Sequence, residues 1–245
     1  MADRSFSLLA GIDIPIVELQ VNIHQPYLKE IAYIGEEEFF SAVQFLCITK
    51  NKFEENPYIL QMSNFDLLMN VIENSENKSK RKKHLVNLLT ILFPDYSPLF
   101  SVNSIILKEK NTSKTVIIDS QTFDILQPVF KEIFCINLDI NKENSYNPAN
   151  KAAQKIMDKI MKGRQKVAEQ RGESDKSVLA KYVSIIAVAL NMPIKEVLDL
   201  TLFQLYDLIE RFDLYTRWDL DLKVRLAGGK PDEDAEKKDW MKNIH

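Results

Sequence analysis

A chain of 245 residues, 45% apolar and 27% charged, is long enough for one large globular domain or two modest ones. Its net charge of −3 gives no global pull towards nucleic acid, and no apolar run approaches the length needed to cross a bilayer. The opening MADRSFSLLAGIDIP has too short an apolar core for a signal peptide, and Cys47 and Cys135 lie far apart in apolar helical segments, so buried thiols in a cytoplasm are expected.

Along the chain, residues 14–21 alternate apolar and polar and read as a strand, with Pro15 confining it to an edge or a first position. His24-Gln25-Pro26 reads as a turn, and residues 27–34 as one or two helical turns ended at Gly35. Glu36, Glu37 and Glu38 then open a helix with charges of the favourable sign, running to about residue 50. A polar loop follows at 51–57. Ser63 caps the next helix, with Asp66 at the capping-box position. The polar, basic run ENSENKSKRKK, residues 73–83, reads as an exposed loop, and residues 84–93 as an apolar helix stopped by Pro94. Strands are expected at 99–108 and 115–119 around a hairpin turn at 110–114. A helix from Ser120 through Cys135 completes this part, with a kink or a helix start near Pro128.

Composition changes at residues 137–147, NLDINKENSYN, which are polar and turn-prone. The expected organisation is an α+β domain over 1–140, a helical domain over 148–229 and a flexible charged tail over 230–245 that carries Trp240. The fold class is thus mainly α with a small α+β N-terminal part. Pro148 opens a basic, thinly apolar helix to Gly172, a character that suits an acidic partner or a solvated bridge. Ser174 precedes a helix apolar on more than one face, expected to be buried rather than to lie on a surface. Asn191-Met192-Pro193 ends it, and Pro193 suits the start of a short helix over 194–200.

Thr201 then caps the longest helix. Leu202, Leu205, Leu208, Ile209, Phe212, Tyr215, Trp218 and Leu222 recur at steps of three or four, with Phe203, Tyr206 and Leu214 widening the stripe. Asp207, Glu210, Arg211 and Asp213 take the other side, and Gly228-Gly229 stops the helix. Such a stripe is either core packing or an aromatic face that docks a partner. The charged tail ends with Trp240, Met241 and Ile244. That pattern suits a short binding motif or a segment that docks back on its own domain.

Catalytic chemistry has little to stand on. His24, His84 and His245 are scattered, and the chain has no H-x-x-x-H or C-x-x-C pair, no G-x-G-x-x-G, no phosphate-binding G-x-x-x-x-G-K-[ST] and no G-x-S-x-G elbow. Asp219 and Asp221 are two apart and fall on different faces of a helix; Asp232-Glu233-Asp234 lacks an EF-hand pattern. No catalytic residue, metal ligand or cofactor is expected. A non-enzymatic protein-binding protein is.

The segments HQPYLKEIAYIGEEEFFSAVQFL, NKAAQKIMDKIMKGRQKVAEQRG and LTLFQLYDLIERFDLYTRWDLDLKVRLAGG, followed by DWMKNIH, resemble proteins encoded among the tail genes of tailed phages and prophages of Gram-positive bacteria. The nearest functional class is the tail assembly chaperone. The resemblance implies a mainly helical protein in the cytoplasm of the infected host. It would coat the tape-measure protein and recruit tail-tube subunits, alone or as a homo-oligomer, with no membrane role. Phe203, Tyr206, Phe212, Tyr215, Trp218, Trp240 and Met241 are the candidate partner-binding residues. Many such chaperones are smaller, with a longer form made by frameshift, whereas this chain carries an α/β part and the C-terminal region in one frame. A structural tail or capsid protein therefore stays open. So does a nucleic-acid-binding regulator using the run from Lys78 to Lys83 and the basic helix after Pro148, although nucleic acid is the less expected partner.

Overall fold

The computed structural model describes residues 4–50, 57–75, 77–136 and 177–229. The chain divides into two compact units, Met1–Leu138 and Asp139–His245. It is mainly helical, and the short strands belong to the N-terminal unit.

That unit begins with α1 (Ser5–Leu9), then β1 (Ile14–Ile16) and β2 (Val21–Ile23). The single strand expected over 14–21 is instead this hairpin, with Ile14 opposite Ile23 and Ile16 opposite Val21. The chain turns through residues 17–20, where Gln20 takes φ +52°. Alternation survives the turn: Ile14, Ile16, Val21 and Ile23 are all buried. Pro15 lies exposed on a two-stranded ribbon, where its missing N–H is tolerated.

Next come α2 (Leu28–Ile34) and α3 (Glu36–Leu46), separated by Gly35 at φ +93°, a value that glycine adopts without a steric cost. α3 stops at Leu46, short of residue 50. After α4 (Pro57–Gln61), α5 (Asn64–Glu73) starts at the expected cap: the Ser63 hydroxyl accepts the Asp66 N–H at 3.0 Å.

The basic run is no loop. Residues Lys78 to Lys83 form the first turns of α6 (Lys78–Leu92). Glu73 supplies the physical reason, pairing with both Lys78 and Lys82. Arg81 adds a hydrogen bond to the Val71 carbonyl at 3.1 Å and lies over the Phe45 ring.

The strand expected over 99–108 is likewise two, β3 (Tyr96–Phe100) and β4 (Ile105–Glu109), joined at Ser101, whose N–H bonds the Ser104 carbonyl. β5 (Thr115–Ile118) pairs with β4 across the expected hairpin turn, giving an antiparallel meander β3-β4-β5. Asp119 caps α7 (Ser120–Ile133), accepting the Thr122 N–H at 2.9 Å, and the helix stops two residues short of Cys135. α7 neither ends nor starts at Pro128.

The core of this unit is aromatic. Phe39 packs edge-on against Phe40 and Phe134, and Phe93 against Phe130 and Tyr96. Leu85, Leu88, Leu89 and Leu92 of α6 fill the space beside them, and Cys47 and Cys135 are both buried.

In the second unit the structure places α8 (Val178–Ala189), α9 (Ile194–Leu198) and α10 (Leu202–Leu226). Ser177 caps α8, accepting the Ala180 N–H at 2.9 Å; the cap expected at Ser174 lies outside the described residues. So do the basic helix after Pro148, the linker expected at 137–147, and the tail. α8 packs on both α9 and α10. It is not buried all round: Leu179, Val183, Ile186 and Ala187 are covered, while Ile185 is exposed and Val188 is 84% exposed. No helix among the described residues is long and apolar enough to cross a membrane.

Candidate functional site

The stretch that the sequence singles out is carried by α10. Its start is fixed by a capping box, in which Thr201 Oγ1 accepts the Gln204 N–H at 3.2 Å and Gln204 Oε1 accepts the Thr201 N–H at 2.8 Å. Leu202, Phe203, Leu205 and Tyr206 are buried in the same unit as Leu179, Val183 and Ile186 of α8 and Val197 of α9. Phe203 and Tyr206, candidates for partner contact, are therefore core residues of this unit.

Burial along α10 does not follow the single stripe expected of it. At roughly 100° per residue, Phe203, Tyr206 and Glu210 share one side, while Phe212, Tyr215 and Leu222 share the opposite one, with Trp218 beside them. Cover instead follows position along the helix: Leu202, Phe203, Leu205, Tyr206, Asp207 and Glu210 are buried on several sides of its first part, although the acids were expected in solvent, and no described residue after Glu210 is buried. The second side emerges beyond it: Phe212 is half-buried, and Tyr215 and Trp218 are 45% and 39% exposed. The Tyr215 and Trp218 rings lie 6.0 Å apart with planes at 33°.

The emerging half carries charge pairs of its own. Arg217 pairs with Asp213 at 2.7 Å and Lys223 with Asp219 at 2.6 Å, each acid four residues before its cation, the favourable order. The neighbouring Asp219 carboxylate raises the Lys223 ammonium above its ordinary range. Such exposed pairs contribute little each.

Of the seven candidate residues, the structure brings Phe212, Tyr215 and Trp218 to one accessible strip and puts Phe203 and Tyr206 inside. Trp240 and Met241 lie outside the described residues. Leu226, 79% exposed, extends the strip and was missed; the steps 218, 222, 226 carry the signal for it.

Ionisable groups converge elsewhere. His24 sits between Asp13 and Glu30, with Nδ1 2.8 Å from Asp13 and Nε2 3.2 Å from Glu30. Hydrogen bonding to Glu30 raises the His24 pKa above 6.5, against the opposing effect of burial. Glu30 also accepts the Tyr27 N–H at 2.8 Å. A shallow groove beside this cluster is lined by Lys29, Glu30, Tyr33, Glu38, Lys83 and Asn87. No group of three or more His, Cys, Asp or Glu among the described residues is arranged to hold a metal ion.

Residues 171–245 match the family model described as the YomV second domain, which is phage-associated. The match covers the helices α8 to α10 and runs on through residue 245, so this part of the chain is similar to a phage-associated domain family. No curated protein and no solved structure matches the chain.

Proposed function

We propose that this is a non-enzymatic phage protein, a tail assembly chaperone that binds the tape-measure protein and recruits tail-tube subunits in the cytoplasm of the infected bacterial host. The supporting observation is the strip Phe212, Tyr215 and Trp218, extended by Leu222 and Leu226. It is aromatic and accessible, and it stands on a helix that carries its own charge pairs, in the part of the chain similar to a phage-associated domain family. A tape measure, as a long helical protein with apolar stripes, offers the complementary surface for helix-against-helix docking. Aromatic side chains supply large contact area from few residues, the usual composition of an interface anchor.

The test is a pull-down of tape-measure fragments by the full chain. Tyr215→Asp and Trp218→Asp should each lower capture by about tenfold, the scale of a lost interface anchor. Val102→Asp, at an exposed apolar position in the N-terminal unit, should leave capture unchanged. Equal capture by all three variants would defeat this reading.

A further inference from the structure

We infer that the outer edge of β5 pairs with the β5 edge of a second copy of this chain, so that two three-stranded meanders join into one six-stranded antiparallel sheet. The inference uses only the N-terminal unit and does not rest on the aromatic strip of α10.

Hydrogen bonding alternates along the meander and fixes which way each main-chain group points. The Glu109 N–H donates to the Lys114 carbonyl at 3.0 Å, and the Ser101 N–H to the Ser104 carbonyl at 2.9 Å. In an antiparallel pair every second opposed couple exchanges hydrogen bonds. Leu107 opposite Val116 and Ile105 opposite Ile118 continue the series that Glu109 and Lys114 begin. Thr115 and Ile117 fall between those couples, so their N–H and C=O groups point away from β4. Among the described residues no main-chain hydrogen bond reaches these groups. Both residues are exposed, Ile117 by 54%.

The opposite edge is closed. By the same alternation Tyr96 and Pro98 turn their main chains outward on β3. The Tyr96 N–H is taken by the Phe93 carbonyl at 2.9 Å, and Pro98 has no N–H to offer. Proline and charged side chains are the usual guards of a sheet edge. β5 has neither between Thr115 and Ile118. One open and one closed edge allow a closed pair and exclude a filament grown through this sheet.

The open edge fits its own copy. A two-fold axis through Val116 sets Thr115 opposite the second copy's Ile117, and Ile117 opposite the second copy's Thr115. These are the residues whose main chains point outward, so four main-chain hydrogen bonds form. Each couple joins two β-branched side chains, a favourable cross-strand combination. The faces also agree. Val116 and Ile118 stay on the buried face, while the exposed row Leu99, Ile106 and Ile117 runs on into the second copy's Thr115. Lys108, the exposed cation of β4, lies at least three strand spacings, about 14 Å, from its counterpart, beyond the ~8 Å screening length of physiological salt. A four-residue edge buries less than the roughly 1,200–2,000 Å² of a stable interface, so the pair forms at high concentration.

Sedimentation equilibrium of the full chain should show the mass rising with concentration from 28.4 kDa towards twice that value. Ile117→Pro puts on β5 the guard that Pro98 supplies on β3, and should weaken self-association by about tenfold or more. Circular dichroism and the unfolding midpoint check that this variant folds. Amide hydrogen exchange on the unsubstituted chain tests the same edge without it. The Thr115 and Ile117 amides should exchange about tenfold more slowly in concentrated than in dilute protein. A chain that stays monomeric, self-association that Ile117→Pro leaves intact, or protection of the two amides that is the same at every concentration would each overturn the inference. Protection that appears only on adding a tape-measure fragment would overturn it too, and would give the edge to that partner. Tape-measure capture by Ile117→Pro should keep its dependence on Tyr215, so the failure of either reading leaves the other standing.

Discussion

Gln127 sits among apolar side chains with its amide turned to the end of another helix. Its Nε2 donates to the Ile48 carbonyl at 2.7 Å and the Leu46 carbonyl at 3.4 Å, while its Oε1 accepts from Asn64 Nδ2 at 2.9 Å. One side chain thus ties the end of α3 and the start of α5 to α7. Gln127→Leu keeps the volume and strands those partners in a buried site, so it should cost about 2–3 kcal/mol in denaturant unfolding. His24 gives a pH signature. Its pKa is raised from 6.5 by hydrogen bonding to Glu30, so its contribution is complete below 6.5 and is lost as pH rises through the higher folded value. Burial pushes Glu30 up, but bonds from His24 and the Tyr27 N–H outweigh it and hold Glu30 below 4.5. Its contribution is present above 4.5 and lost as pH falls through the lower folded value. The pair stabilises most between the two, and the unfolding midpoint should decline on the alkaline side of 6.5. His24→Gln should flatten that decline; an unchanged slope would show that the cluster is not linked to folding.

At the scale of the element, α10 is one helix with two environments, and its substitutions should sort accordingly. Phe203→Ala opens a buried cavity and should cost about 3–5 kcal/mol. Trp218→Ala removes a side chain 39% exposed and should cost clearly less in the same unfolding experiment. Equal losses would mean that Trp218 is core. The sequence announced the helix ends well, because caps are local chemistry: Ser63 with Asp66, Thr201, Gly35 and the glycines at 228–229 each act within a few residues of themselves. Strands were harder. The turns at 17–20 and 101–104 contain no glycine or proline, so two hairpins read as two single strands. The run from Lys78 to Lys83 looked like a loop because its cations sit at the unfavourable end of a helix dipole. Glu73, which offsets them, belongs to the preceding helix. On α10 the residues Phe212, Tyr215 and Trp218 were legible as an apolar stripe, but periodicity marks a shared side of a helix and does not say whether neighbours cover it. Burial of Asp207 and Glu210 depends on such neighbours and leaves no trace in spacing.

For the whole molecule, the small size of the accessible strip bears on how the proposed chaperone would work. A handful of side chains covers much less than the roughly 1,200–2,000 Å² of a stable interface, so each contact with a partner helix should be weak and reversible. Reversible single contacts suit a protein that covers a long apolar helix in many copies and leaves when tube subunits arrive. They do not suit a permanent virion part. Titration of the full chain with a single tape-measure stripe peptide should therefore give a Kd in the micromolar range, about −8 kcal/mol or weaker. Mass spectrometry should find the protein in infected-cell extracts containing unfinished tails and not in purified particles. A nanomolar complex, or stoichiometric protein in the finished particle, would make it a structural tail component and would reassign the aromatic strip to a permanent subunit contact.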